Sequence, residues 1–414
     1  GIGCGDYGVA GRVTINGGTV TATGGYPGMG VDIGGAGAGG GGGGEVTING
    51  GRVTVTSGFI TGDLKLGPRV IKIDNNHYRE GVVVSLRLPS DLRLTEPIMD
   101  DGSRFERWTQ DGVTFVRFLS GHRVLLEFVP ADVGWQIAGD GGSITVRPVN
   151  GDVSIPDEDL PDVVEDVVPE PVAYLLPDGR ETQATGVRRI SHAASLQDTL
   201  SSGWYLATGN MKTSVLKVQG TVNLILADGA TLTVDGGIRV EPVDALNVFC
   251  QGEKTGTLIA NGAHRCAGIG GGDNSKGGGI ITINGGTVRA TGGNEGAGIG
   301  GGAGGPGGVV TINGGTVTAR GNSGAGIGGG GEGQNGGTVT INGGIVTVAG
   351  SSYDGGSGIG CGGCGDCCAN VTINGGTLTA MGGVASGIVR YYGIGGYASC
   401  LGANVTINGG SVKA

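Results

Sequence analysis

Little in this sequence supports the common routes to catalysis or nucleic-acid binding. Phe, Trp and Tyr make up only 4% of the 414 residues, and the four histidines (His77, His122, His192 and His264) lie scattered along the chain. Neither a Gly-x-Ser-x-Gly elbow nor a His-Glu-x-x-His motif occurs, so the serine-hydrolase and zinc-protease patterns are missing. No apolar run approaches the roughly 18 residues needed to cross a bilayer, and no membrane insertion is expected within this segment. Basic clusters are also lacking. A net charge of −10 and a pI near 4.9 argue against a nucleic-acid partner, because phosphate contacts need grouped Lys and Arg. No signal peptide is visible, but Gly1 is not a natural start, so that absence excludes nothing.

Glycine, by contrast, is abundant at 98 residues. Such a level can signal low complexity, yet here it follows strict repeats, with 37–44 as an exception that reads as a flexible loop. Residues 310–319 read V-T-I-N-G-G-T-V-T-A. The phrase returns at 13–22, 281–290, 339–348, 371–380 and 405–414, and more loosely at 46–55. A second phrase, Ala-Gly-Ile-Gly-Gly, starts at Ala267, Ala297 and Ala325, with Ser-Gly-Ile-Gly at Ser357. The marker asparagines Asn284, Asn313, Asn342, Asn374 and Asn408 stand 29, 29, 32 and 34 residues apart. Self-similarity at this period is the signature of a solenoid.

Val-Thr-Ile and Thr-Val-Thr-Ala alternate apolar and hydroxyl residues with period two, which is strand spacing in β-branched residues. Asn-Gly-Gly between them is a turn signal. A lone hairpin cannot bury its own apolar face, whereas stacked coils can, each strand pairing with its equivalent one repeat away. Each coil is expected to hold three short strands: Val-Thr-Ile, Thr-Val-Thr-Ala and Gly-Ile-Gly. The core ladder is then Ile15, Ile283, Ile312, Ile341, Ile373 and Ile407, with Ile269, Ile299, Ile327, Ile359 and Ile394 as another row.

The segments divide as follows. Residues 1–57 hold β-helix coils and begin in mid-pattern, since Gly1-Ile2-Gly3-Cys4 matches Gly358-Ile359-Gly360-Cys361. Residues 59–149 differ in composition and hold Phe105, Trp108, Phe115, Phe118, Phe128 and Trp135. Expected strands at 70–73, 82–88, 113–118, 124–129, 135–137 and 144–147 suggest a small antiparallel β-sandwich. Residues 150–171 carry eight acids, several prolines and no base, an extended self-repelling linker. Residues 172–203 form a connector and solenoid cap, with a short helix expected at 191–200 and Trp204 beside it. Residues 204–414 are the glycine-rich β-helix.

Gly203-Trp204-Tyr205, the run from Leu224 to Leu232, Gly268-Ile269-Gly270-Gly271 and Thr282-Ile283-Asn284-Gly285-Gly286 resemble a family of large secreted or cell-surface proteins of gut anaerobic bacteria. These are carbohydrate-binding-domain or pectate-lyase-like repeat proteins. The resemblance covers 203–414 and 1–57, but neither the sandwich nor the linker. It implies a right-handed parallel β-helix with a surface role, and it brings no catalytic set. The whole is thus read as all-β: a right-handed parallel β-helix with an inserted small antiparallel β-sandwich.

Lyases and glycosidases on β-helices need clustered carboxylates or an Arg/Lys base beside a groove. Asp228, Asp235 and Glu241 are the one tight acidic set on the solenoid, and they read as turn and edge residues. No catalytic residue, cofactor or metal site is assigned. A calcium β-roll needs an Asp at a fixed place in every repeat, and only Asp32, Asp273 and Asp366 sit in such loops. Stacked Thr-x-Thr pairs suit an ice-binding face, but Arg52, Arg289, Ile345 and Lys413 interrupt them. Eight cysteines fit an oxidising compartment: Cys4, Cys250, Cys266, Cys361, Cys364, Cys367, Cys368 and Cys400. Cys361, Cys364, Cys367 and Cys368 could hold zinc. However, Cys400 precedes Val405 by five residues and Cys367 precedes Val371 by four, a register that favours a coil-to-coil disulfide from Cys400 to Cys367 or Cys368, with Cys250 and Cys266 as a further pair.

The expected function is that of a non-enzymatic extracellular or cell-surface structural protein, a stalk or fibre unit. The alternative is a carbohydrate-binding adhesin meeting host or microbial glycans, and a polysaccharide-active enzyme stands third. After Ala414 a Gly-Ile-Gly strand is due, and Gly1-Ile2-Gly3 supplies it. Gly1, Ile2, Val412 and Ala414 are therefore expected at assembly ends where one copy or tandem module continues into the next.

Overall fold

The computed structural model describes residues 2–3, 11–23, 33–34, 45–55, 168, 170–190, 199–273, 277–331, 335–351, 355–362, 369–383, 392–396 and 402–414, and the strand backbone between 63 and 130. The glycine loop at 37–44, the expected strands at 135–137 and 144–147 and most of the acidic linker lie outside the described residues. So does most of the expected helix at 191–200. Its last residue, Leu200, lies in the strand Thr199–Ala207.

Alternation in the sequence becomes alternation in burial. In Val309–Ile312 and Thr316–Arg320, Val310, Ile312, Val317 and Ala319 are buried while Thr311 and Thr318 reach the surface. The strands pair in parallel with their equivalents one coil away. Ile283, Ile312, Ile341, Ile373, Ile407, Ile15 and Ile48 stand in one register. Val288, Val317, Val346, Leu378, Val412, Val20 and Val53 form a second. Ile238, Ile269, Ile299, Ile327, Ile359, Ile394, Ile2 and Ile33 form a third. All these side chains are buried, most of them completely. Each contributes about 1.5–3 kcal/mol through removal from water. Coil-to-coil pairing of this kind makes the protein a parallel β-helix.

Two glycine columns fix the corners. Gly315 has φ +85 where Asn-Gly-Gly turns from one strand to the next. Gly328 has φ +139, and a Cβ there would lie 2.0 Å from the Gly360 carbonyl oxygen. Only glycine combines that backbone with so close an approach of the next coil.

The N-terminal coils continue the stack beyond the last C-terminal coil, within one chain. Arg12–Ile15 pairs with Asn404–Ile407, Thr19–Ala22 with Ser411–Lys413, and Ile2–Gly3 with Ile394–Gly395. Asp63–Asn75, expected near the start of the sandwich, joins the stack as the next rung by parallel pairing with Glu45–Val55. In that register Leu64, Leu66 and Ile73 stand opposite Val46, Ile48 and Val53.

The expected sandwich is not found as two facing sheets among the described strands. Val83–Leu86, Phe105–Gln110 and Val113–Phe118 make a three-stranded antiparallel sheet. Val124–Pro130 runs antiparallel to Asp63–Asn75, Leu92–Leu94 and Ile98–Met99, which ties it to the solenoid's end. A separate two-stranded antiparallel sheet, Val172–Leu175 with Glu181–Ala184, belongs to the connector.

That hairpin covers outward-facing residues of the first coils. Tyr205, Ala207, Leu224 and Leu226 point into the solenoid core, so Leu206 and Ile225 point out. Val172, Ala184 and Val187 cover them, and Tyr174 packs on Trp204 and Phe249 with ring centroids 4.8 Å apart in each case. Trp204 thus anchors a side cover. Ile190, Leu200, Tyr205, Met211 and Leu216 belong to the solenoid core at this end.

Candidate functional site

The three carboxylates singled out in the sequence do not converge. Asp228 ties two coils together: its carboxylate accepts from the Glu253 N–H at 2.9 Å, and the neighbouring Gly229 N–H donates to Thr255 Oγ1 at 2.8 Å. Gln251, whose Oε1 accepts from the Asp228 N–H, donates to the Ala173 carbonyl of the hairpin. Asp235 pairs with Lys212 at 2.6 Å and accepts from Asn261 Nδ2 at 2.9 Å. The Lys212 hydrogen bond, with that of Asn261, holds the Asp235 carboxyl below the usual range, and Asp235 raises the lysine. Both charged forms are therefore favoured, the opposite of what a general acid or an amine nucleophile requires. Glu241 is exposed, and its carbonyl accepts from the Asp244 N–H. Among the described residues no group of three or more His, Cys, Asp or Glu is placed to hold a metal ion.

Cys250 and Cys266 are free thiols, which corrects their expected pairing, and Cys361 is also free. The two sit at different corners of the coil. Cys250 ends the strand Ala245–Cys250 and packs against Gly285, whereas Cys266 lies beside Arg239, whose Nη2 is 3.8 Å from its sulfur. Burial pushes the Cys250 thiol up. Cys4, Cys364, Cys367, Cys368 and Cys400 lie outside the described residues, as do His77, His122 and His192.

Sequence reasoning missed a cluster at another corner. Arg265 pairs with Asp273 at 2.9 Å and with Glu295 of the next coil. Arg265 and Glu295 both adopt positive φ, +64 and +63. The signal was weak, because the loop reads Ala-His-Arg-Cys in one coil and Gly-Asn-Glu-Gly in the next.

The surface carries two regular features. Asn16, Asn408, Asn374, Asn342, Asn313 and Asn284 form a one-way ladder, each Nδ2 donating to the Oδ1 of the next at 2.6 to 2.8 Å. At the opposite end of the same strands lies a shallow groove of about 380 Å3, lined by Pro242, Ile280, Pro306, Val309, Asn335 and Asn370 among others. Its lining combines these apolar side chains with the side-chain amides of Asn335 and Asn370.

The seam between tail and head repeats the contacts of an internal rung. Ile2 and Val412 are buried and Ala414 packs against the core, while Gly1 lies outside the described residues. Asn16 Nδ2 donates to Asn408 Oδ1 at 2.6 Å, and the Arg12 N–H donates to Asn404 Oδ1 at 3.2 Å. The Thr19 N–H donates to the Gly410 carbonyl at 2.7 Å. A Cβ on Gly11 would lie 2.6 Å from the Ala403 carbonyl oxygen. These contacts repeat the internal rungs: Val405↔Val13 matches Val371↔Val405. The head and tail strands thus pair within a single chain, Ile2 with Ile394 and Val412 with Val20, since tethered segments meet at high effective concentration.

No helix among the described residues is long and apolar enough to cross a membrane. No curated protein and no solved structure matches the chain. The family model described as a beta helix repeat matches residues 256–273, 281–303, 310–331 and 371–398. These matches fall on the coils whose strands stack in register, and repeat and geometry agree that the chain is a parallel β-helix protein.

Proposed function

We propose that this is a non-enzymatic extracellular structural protein, a cell-surface stalk or fibre unit whose head-to-tail seam can be exchanged between copies. The observation that carries this reading is the seam's identity with an internal rung. Arg12–Ile15 meets Asn404–Ile407 through the same Val, Thr and Ile partners that join Ala369–Ile373 to Asn404–Ile407. No peptide bond holds the seam, so a second copy offering the same strands satisfies the same hydrogen bonds. Parallel pairing and the one-way asparagine ladder permit addition in one sense only. A heterologous contact of that kind does not close and yields filaments. The groove along Pro242, Ile280 and Pro306, with the amides of Asn335 and Asn370 in its lining, favours a second reading, a glycan-binding adhesin.

Light scattering and electron microscopy over a range of concentrations test the first reading, before and after unfolding and refolding at high concentration. Filaments or a ladder of oligomers are expected after refolding. A chain that returns only as a monomer at every concentration rules out exchange. Binding on a glycan array, lost when Asn335 and Asn370 are changed to Ala, supports the second reading.

A further inference from the structure

We propose that Asn284 is the ladder position at which this chain deamidates spontaneously, and that the asparagine ladder withholds the same reaction from the rungs beyond it. Every ladder asparagine is followed by glycine: Gly285, Gly314, Gly343, Gly375, Gly409 and Gly17. Asn-Gly is the dipeptide most open to attack on its own side chain, because glycine carries no Cβ to hinder the approach. The backbone nitrogen of the glycine bonds to the asparagine Cγ, and the Cγ–Nδ2 bond breaks. The side-chain NH2 leaves as ammonia with the proton from the glycine nitrogen, and a five-membered succinimide remains. Water then opens the ring at either carbonyl, giving aspartate or isoaspartate. No reagent beyond water is consumed.

The backbone is nearly the same in each rung, with φ of +78 at Gly286, +85 at Gly315, +86 at Gly344, +82 at Gly376 and +85 at Gly410. The nitrogens of Gly285, Gly314, Gly343, Gly375 and Gly409 donate to no described acceptor. The rungs differ in how the side chain is held. Asn313, Asn342, Asn374 and Asn408 each donate through Nδ2 to one neighbour and accept through Oδ1 from the other. Turning the side chain toward the glycine nitrogen breaks both bonds. Asn284 has one only. Its Oδ1 accepts from Asn313 at 2.8 Å, but its Nδ2 donates to no described acceptor. The preceding coil offers Phe249 there, one residue past Val248, which pairs with Ile283. A phenyl ring supplies no amide oxygen. The bond from Asn313 also draws electrons from the Asn284 carbonyl, the site of attack, while the leaving nitrogen is untethered.

Polarity also decides what the product does to the fold. An aspartate at 284 still accepts from Asn313 Nδ2. Inside the ladder an aspartate would set oxygen against oxygen, since carboxylates only accept.

The test is peptide mapping by mass spectrometry of the full-length protein aged in mildly alkaline buffer, with isoaspartate and aspartate quantified at each Asn-Gly. One ladder hydrogen bond corresponds to about a five-fold change in rate. Asn284 is expected to convert about five-fold faster than Asn342 and Asn374. Solvent access alone predicts the reverse order, because Asn342 and Asn374 are the more exposed. Equal rates, or faster conversion at 342 or 374, overturn the proposal. Asn313→Ala removes the acceptor of Asn342 and should raise conversion there about five-fold, while Asn313→Asp keeps an acceptor and should not. A five-fold rise in both variants, or in neither when both are folded, also overturns it. The wild-type ranking decides the matter if Asn313→Ala does not fold.

Discussion

Ala414 donates its backbone N–H to the Thr21 carbonyl at 2.8 Å, and its own carbonyl accepts from the Thr23 N–H at 2.8 Å. Residues nearly a full chain length apart in sequence thus make an ordinary parallel β bridge. The seam depends on Val412, Val20 and Ile2, all buried, rather than on a peptide link. Val412→Asp buries an unpaired carboxylate at this place. Hydrogen exchange should then rise in Arg12–Ile15 and Thr19–Ala22 and stay low in Val309–Ile312 and Thr316–Arg320. Uniform acceleration in all four strands would show that the seam does not open on its own.

Much of the solenoid was legible because its determinants are local and repeated. Period-two alternation in Val-Thr-Ile marks a strand with one buried face, and its recurrence names the partner strand. The seam was legible for the same reason, as the Gly-Ile-Gly phrase due after Ala414 and supplied by Ile2–Gly3, but whether it closes within a chain or between copies is a matter of tethering that no register encodes. The antiparallel region was harder. Asp63–Asn75 alternates only in parts, with Gly67-Pro68 breaking the pattern, and only the neighbouring rung, Glu45–Val55, makes it part of the solenoid. Cys250 and Cys266 carried no mark of which corner each occupies, because loop length varies between coils. The polarity of the asparagine ladder was invisible too, since it rests on amide orientation.

Ile341 is fully buried and Thr340 is at the surface of the same strand. Ile341→Asp places an uncompensated charge in the core and should destabilise by more than about 4 kcal/mol, with loss of cooperative folding. Thr340→Asp should shift stability by less than about 1 kcal/mol. Thermal melts followed by circular dichroism separate the two. Similar losses from both changes would contradict the inward and outward assignment.

Gly328→Ala tests the corner. The backbone there sits at φ +139, and an added Cβ meets the Gly360 carbonyl oxygen at 2.0 Å. Strain and overlap together should cost about 3 kcal/mol or more. Gly179→Ala is the control: its φ is +84, but nothing lies within 4 Å of the new methyl. It should cost about 1 kcal/mol from strain alone. Denaturant midpoints measure both, and a Gly328 variant as stable as the Gly179 variant would refute the close coil contact.

Cys250, Cys266 and Cys361 are each buried, and burial holds the Cys250 thiol above its ordinary value. Thiolate is the reactive form, so an alkylating reagent at neutral pH should leave these three unmodified in the folded protein and label all of them in denaturant. A peptide linked by a Cys250–Cys266 bridge in non-reducing mass mapping would contradict the free thiols.

The last prediction concerns alkaline pH. Tyr174 lies against Trp204 and Phe249, and burial raises its hydroxyl above the ordinary value of 10.0. A raised folded value means that the folded state holds the proton more tightly than the unfolded one. The stabilisation is complete below pH 10 or so and is lost as pH rises through the folded value. Ionisation therefore weakens the packing of Tyr174 on Trp204 and Phe249, and with it the docking of the hairpin Val172–Leu175 with Glu181–Ala184. Tyr174→Phe keeps the ring and removes the titrating group, so its hairpin should stay docked through that range. Near-ultraviolet circular dichroism during an alkaline titration reads the packing of Trp204. An alkaline step of the same midpoint and size in wild type and Tyr174→Phe would show that another group controls the hairpin.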